Sequence, residues 1–207
     1  TYCQYPVWAD DKWEYRGSVF DEFAAGPEHE GEPRSAVVSV GTQEGYAFPR
    51  MLEAVVPLLS GFDKVLYQTG DPDTRPFGSE GRPSVPFDEL QQAVSEADVV
   101  ISHSGVGGAL TALAAGKHPI MIPRTTAHHE HIDDHQLQIT TEMQAAGMVV
   151  ACMEDTDLPG AIAEARTRTP VLPGRGDLKR AVADATTLAT PRPILSLRSV
   201  VYSARVD

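Results

Sequence analysis

From Ser35 onward the chain alternates short, almost wholly apolar runs with longer stretches whose apolar residues recur every three or four positions. The short runs are SAVVSV (Ser35 to Val40), KVLYQ (Lys64 to Gln68), Asp98 to Ser102, Pro119 to Ile122 and Met148 to Cys152. They read as strands of the buried, parallel kind. The longer stretches predict helices over Phe48 to Leu59, Phe87 to Glu96, Ala109 to Ala115, His131 to Ala146 and Asp157 to Arg168. In the second of these, Leu90, Ala93, Val94 and Ala97 share one face. In the fourth, Ile132, His135, Ile139, Met143 and Ala146 form a stripe. Pro49 suits the first turn of its helix, whereas Pro57 should end or kink it. Gly147 is placed to cap a helix C-terminus. The Gly- and Pro-rich segment from Thr69 to Pro86 predicts a loop.

Strands alternating with helices through short connections predict right-handed βαβ units. The fold class expected is α/β, a Rossmann-like parallel sheet with helices on both faces. That core spans residues 35–168. Residues 1–34 lack clean periodicity and end in the acidic, Gly/Pro-rich run AAGPEHEGEP, so they read as a linker or the end of a preceding domain. Trp8 and Trp13 in that segment are expected to pack on the domain or on a missing neighbour. Residues 169–207 read as an extension that packs back on the domain or on a partner half. PGRGDLKRAV could enter a helix near its start, and ILSLRSVVYSARV is ambiguous between strand and helix. The start at Thr1 rather than Met is read as processing or excision from something longer.

The 207 residues, 42% of them apolar, suffice for one sizeable core. A formal charge of −12 argues against a nucleic-acid backbone as the main partner, but not against one small nucleotide held locally. Cys3 and Cys152 form no disulfide framework and lack metal-ligand spacing, which fits unpaired thiols in a reducing cytosol. No apolar run reaches the length of a membrane span, and no secretory signal is visible.

The chemistry concentrates between Asp98 and Gln136. A strand leads into the Gly- and Ser-rich turn from Ser104 to Gly108, and a helix follows. A helix start presents unpaired backbone N–H groups and the positive end of the helix dipole, which suits a phosphate. Glycine allows the backbone to approach that phosphate closely. His103, at the strand end, could add a donor. Gly41 and Thr42 also follow a strand, so they should share the same rim of the sheet, where ligands of such folds bind. Arg124 ends a further strand at that rim; it could neutralise phosphate or be a surface or salt-bridged arginine. The cluster His128, His129, Glu130, His131, Asp133, Asp134 and His135 invites a metal reading, since His131 and His135 lie four apart. An HExxH motif starting at His129 would need histidine at Asp133, so no metal site is assigned. Acidic residues in a first helical turn account for Glu130 and Asp133 through the dipole.

Taken together, VVSVGTQEGYAFPRML, VLYQTG, ADVVISHSGVGGALTALAAGKHPIMIPR and EHIDDHQLQI resemble the C-terminal, nucleotide-sugar-binding domain of GT-B glycosyltransferases of the family 28 type. That group includes the catalytic subunits of two-chain dolichol and exopolysaccharide sugar transferases. The likeness covers roughly Ala36 to Leu158. It implies one half of a GT-B fold and transfer of a hexosyl or N-acetylhexosaminyl group. The donor would be a nucleotide sugar, UDP-linked by preference, and the acceptor a hydroxyl, lipid-linked or on a polysaccharide. By the resemblance, His103, Ser104, Gly105, Gly107 and Gly108 hold the diphosphate, and Gly41 and Thr42 lie against the phosphates or the acceptor side. Asp134 and Gln136 face the donor sugar with His135 beside them, and Val85, Pro86 and Phe87 flank the base. His103 or Arg124 would assist leaving-group departure, with no metal cofactor required.

Two positions depart from the family pattern: Gly108 stands where many relatives carry Ser or Thr, and Thr111 where many carry a ribose-binding Glu. The acceptor site and base would come from an N-terminal half, in cis or in trans. The expected location is cytoplasmic, peripheral to the membrane through that partner. Alternatives are an epimerase or hydrolase of the same fold using Asp134 and His135, or a non-catalytic nucleotide-sugar-binding module.

Overall fold

The structure is a computed structural model that describes residues 2–3, 6–17, 31–42, 48–71, 81–154 and 157–167. These residues fall into two units. In the first, β1 (Tyr2–Cys3) and β2 (Glu14–Tyr15) pair in parallel, with a 3-10 turn at Pro6–Trp8 between them. The Asp10 carboxylate accepts from the backbone N–H groups of Lys12 and Trp13, both at 2.8 Å, and closes the connection. The expected extension from 169 onward lies outside the described residues.

The second unit holds the βα alternation. In chain order it runs β3 (Ser35–Ser39), α1 (Pro49–Leu58), β4 (Lys64–Gln68), β5 (Gly81–Arg82) and α2 (Phe87–Glu96). It continues with β6 (Val99–His103), α3 (Val106–Ala114), β7 (Ile120–Ile122), α4 (His135–Ala145), β8 (Val150–Ala151) and α5 (Leu158–Thr167). The six strands form one sheet in the order β5-β4-β3-β6-β7-β8, every neighbouring pair parallel. The chain moves outward from β3 to β4 and β5, then returns to place β6 on the other side of β3. The strand order therefore reverses at the β3–β6 seam, where open α/β sheets bind ligands at the strand carboxyl ends.

Alternation along the strands builds two apolar layers. Ala36, Val38, Val99, Ile101, Ile120 and Ile122 face α1 and α5, meeting Met51, Leu52, Val55 and Leu158. Val37 and Val100 point the other way, toward Val94 of α2 and Ala112 of α3. Both faces of the sheet are thus covered, which is why the strands read as continuous apolar runs. Among the described residues no helix is long and apolar enough to cross a membrane.

Several boundaries differ from the sequence reading. Helix α3 begins at Val106, earlier than expected, because Gly107 and Gly108 are recruited into its first turn despite their poor helix propensity. Helix α4 begins only at His135, with Ile132 78% exposed and off the stripe. Just before it, the Asp134 and Asp133 carboxylates accept from the backbone N–H groups of Thr126 and His135. The loop expected from Thr69 to Pro86 contains the short edge strand β5, held by Thr69 N–H donating to the Arg82 carbonyl at 2.8 Å. Pro57 sits one residue from the end of α1, so it terminates the helix as expected.

One side chain fastens the start of the seam. Asp98 Oδ2 accepts from the backbone N–H of Arg34 at 2.8 Å, the backbone N–H of Ser35 at 2.9 Å and the Ser35 hydroxyl at 2.8 Å. Hydrogen bonds to a charged acceptor are the strong class, and removing it strands three donors. Asp98→Ala should destabilise the protein by about 2–3 kcal/mol, read as a lower urea midpoint with an unchanged slope.

Candidate functional site

At the β3–β6 seam a cleft of about 500 Å³ opens between the strand ends and the α2 and α3 helices. That volume falls within the range of small-molecule and cofactor sites. Of the sequence candidates, Gly41, Thr42, Phe87, His103, Gly105, Gly107 and Gly108 border it. Gly105 is the N-cap of α3 in extended conformation (φ −92°, ψ 133°), and no side chain caps this helix. Its own N–H folds back to the His103 carbonyl at 2.7 Å. The first-turn N–H groups of Val106, Gly107 and Gly108 are those that a helix cannot satisfy internally, and the dipole adds positive potential there. The geometry suits an anion.

His103 explains two of the glycines. Its imidazole lies between the backbones of Gly41 and Gly105. A Cβ on Gly41 would come within 2.6 Å of the ring, and one on Gly105 within 2.3 Å. Gly41 also holds φ at +83°, a conformation costly to any residue with a side chain. His103 Nδ1 is buried with no hydrogen-bond partner among the described residues. Burial, the nearby Arg124 guanidinium and His131 together outweigh the Ser39 backbone, and the imidazole pKa is pushed down to about 4. At neutral pH His103 is therefore a neutral ring that offers one N–H donor, not a cation.

The remaining candidates have these places in the structure. Arg124 is only 1% exposed, beneath the rim rather than on it. Its Nη2 donates to the Val40 carbonyl at 3.1 Å, and its guanidinium stands 5.0 Å from the Phe48 ring centre. It braces the loop after β3 and projects positive charge toward His103. The Ser104 hydroxyl is buried against Thr140 of α4, and its N–H donates to the Ile122 carbonyl at 3.1 Å. Ser104 thus anchors the turn. Gln136 Oε1 accepts from the Arg124 backbone N–H at 3.1 Å, and the Asp134 carboxylate takes the Thr126 N–H at 2.8 Å and its hydroxyl. Both oxygens hold the connection between β7 and α4 in shape. Phe87 is 62% exposed at the cleft mouth, a position available to a flat ring. Thr111 borders the cleft, but its hydroxyl back-bonds to the Gly107 carbonyl at 2.9 Å.

The His/Asp cluster is not the helical pair expected from spacing. His131 precedes α4, and a turn brings its ring 4.7 Å from that of His135 in an edge-on arrangement. The ligand atoms of His131, Asp133 and His135 lie within 4.8 Å of one another, so this is where an ion could be held. Asp133 also accepts from the His135 backbone N–H and pairs with its ring. Partial burial pushes the Asp133 carboxyl up, but the His135 hydrogen bonds outweigh it and hold it below its ordinary range. Glu130, expected in a helical first turn, instead forms a two-point pair with Arg50 at 2.8 and 3.0 Å, and Arg50 also donates to the Pro123 carbonyl at 3.0 Å.

Sequence reasoning overlooked Ser39, Gln68 and Ser102, which also border the cleft. Ser39 pairs in register with both Gln68 and Ser102, forming one polar rung across three strands. The signal was present: a hydroxyl near the carboxyl end of two otherwise apolar runs.

The fold is shared with known proteins. The model of the glycosyltransferase family 28 C-terminal domain matches residues 35–175, and the chain belongs to that family. It is 39% identical over 56 residues to the UDP-N-acetylglucosamine transferase subunit ALG13 of Yarrowia lipolytica (strain CLIB 122 / E 150). That stretch is 27% of this chain and 26% of the relative. Among solved structures, Acinetobacter baumannii MurG superposes with a TM-score of 0.55 at 16% identity, covering 91% of this chain and 60% of that one. The kitacinnamycin glycotransferase gives 0.52 at 20% identity, covering 76% and 42%. The chain thus corresponds to part of each of these proteins, and the fold is one half of the GT-B architecture.

The neutral, half-buried His103 links stability to acid. Its folded pKa lies below that of the unfolded chain, so the unfolded state binds more protons between about pH 6.5 and 4. The stabilisation is complete above that window and lost as pH falls through it. A shift of this size corresponds to about 3 kcal/mol. The unfolding free energy should therefore fall more steeply from pH 6.5 to 4 in the wild type than in His103→Ala, measured by urea titration at successive pH values.

Proposed function

We propose that this chain is the donor-binding half of a glycosyltransferase that moves a sugar from a nucleoside diphosphate sugar, UDP-linked by preference, to an acceptor hydroxyl. The observation that carries this reading is the uncapped first turn of α3, open to a cleft at the seam where the strand order reverses. Membership of family 28 supports it, and the UDP-N-acetylglucosamine transferase subunit among its relatives favours uridine and an N-acetylhexosamine. In this reading the helix N-terminus and the His103 N–H stabilise the departing diphosphate, which needs no resident metal. Arg124 acts through His103 and the loop after β3 rather than by touching phosphate. Phe87 covers the base at the cleft mouth. The acceptor site and the base that deprotonates it belong to an N-terminal half, in cis or in trans. That half would also supply contact with a membrane-borne acceptor, at the cytoplasmic face.

Titrating the purified chain with UDP, GDP, dTDP and their common sugars tests the assignment. Saturable binding of UDP is expected, with His103→Ala weakening it about tenfold or more, the worth of one hydrogen bond to a charged group. Failure of every nucleoside diphosphate to bind would sink the reading. The same titration in excess EDTA is expected to give an unchanged Kd. A chelator-sensitive Kd would instead direct attention to His131, Asp133 and His135.

A further inference from the structure

Ser102 and Gly108 divide one small space between them. A Cβ built on Gly108 would fall 2.6 Å from the Ser102 hydroxyl oxygen, so the hydroxyl already occupies the position that a side chain at 108 would need. Ser102 is only 1% exposed, yet it borders the cleft. Its hydroxyl has no hydrogen-bond partner among the described residues. The contrast within its own rung is informative: the Ser39 hydroxyl donates to Gln68 Oε1 at 2.6 Å, whereas Ser102 on the next strand is unsatisfied. Buried polar groups are nearly always paired, and an orphaned one costs about 1–3 kcal/mol. This orphan lies against the third residue of α3, where the N–H groups and dipole favour negative charge.

We propose that the Ser102 hydroxyl donates to a phosphate oxygen of the bound nucleoside diphosphate, reaching up from the strand end through the gap left by Gly108. This rests on the donor-binding reading above. It makes Ser102 a binding residue of the site and gives a physical reason for glycine at 108. With the hydroxyl where it stands, a side chain at 108 would collide with it, so the two compete for one place beside the phosphate.

Calorimetric titration with UDP, alongside thermal unfolding of the unliganded protein, tests this in four proteins. Wild type is expected to bind. Ser102→Ala should bind about tenfold more weakly, with an unliganded Tm equal to or above wild type, because an unsatisfied buried hydroxyl has been removed. Gly108→Ser alone should also weaken binding, through its collision with Ser102. The double variant Ser102→Ala/Gly108→Ser should recover most of the affinity, the hydroxyl having moved from strand to helix. Equal UDP affinity in wild type and Ser102→Ala overturns the proposal while leaving the donor site intact. A double variant no better than Ser102→Ala overturns it too, as does a Ser102→Ala protein whose unliganded Tm drops, since that marks a structural hydroxyl. A wild type that binds neither UDP nor any other nucleoside diphosphate removes the donor-site reading itself.

Discussion

The site depends on a close approach. The imidazole of His103 occupies the gap between two backbone segments, one following β3 and one opening α3, and a Cβ on Gly41 or Gly105 would collide with the ring where it stands. Gly41, Gly105 and His103 are therefore one constraint rather than three preferences. The ring fills the space between the two loops. Arg124, beneath them, bonds the Val40 carbonyl and adds its charge to an environment that keeps His103 neutral. A cation here would be repelled by its own support. A neutral ring donates a hydrogen bond and needs little reorganisation when negative charge arrives.

The rest of the site follows by successive bracing. Ser104 bonds to α4, Gln136 holds the backbone of Arg124, and Asp134 holds Thr126. The Arg50–Glu130 pair ties α1 to the same connection and to the Pro123 carbonyl. Residues whose polarity suggests ligand contact thus spend their hydrogen bonds on shaping the rim. This division is common where a binding surface must be preorganised: few groups face the ligand, and more hold those few in place.

Much of the fold was legible because buried parallel strands leave an unmistakable apolar signature, and both layers of the core follow from alternation along SAVVSV and VVIS. The glycine turn and its helix were legible as chemistry for the same reason: few other patterns place N–H groups at a strand end. Helix starts were not. Propensity alone counts Gly107 and Gly108 as loop, yet packing of Ala109, Ala112 and Leu113 draws them into α3. It counts His131 to Asp134 as helix, yet the Asp133 and Asp134 carboxylates take backbone N–H groups of His135 and Thr126 instead. Sequence places Arg124 at a strand end and so on the rim, but cannot reveal that Phe48 and the Val40 backbone lie against it. A single serine in an apolar strand looks incidental until its unpartnered hydroxyl is seen filling the space beside Gly108.

The register of the central seam carries a consequence for how the molecule comes into being. β3 pairs with β6, and Ala36 lies opposite Val99, so the chain between them must be made before that pairing can close. Until then β3 presents one unpaired edge, apolar on both faces, to its surroundings. Such an edge recruits strands from other chains as readily as its own. The cleft is assembled from segments that meet only after the longest connection between paired strands has closed. During synthesis, then, the region most exposed to misassembly is the one from which the binding surface will be made.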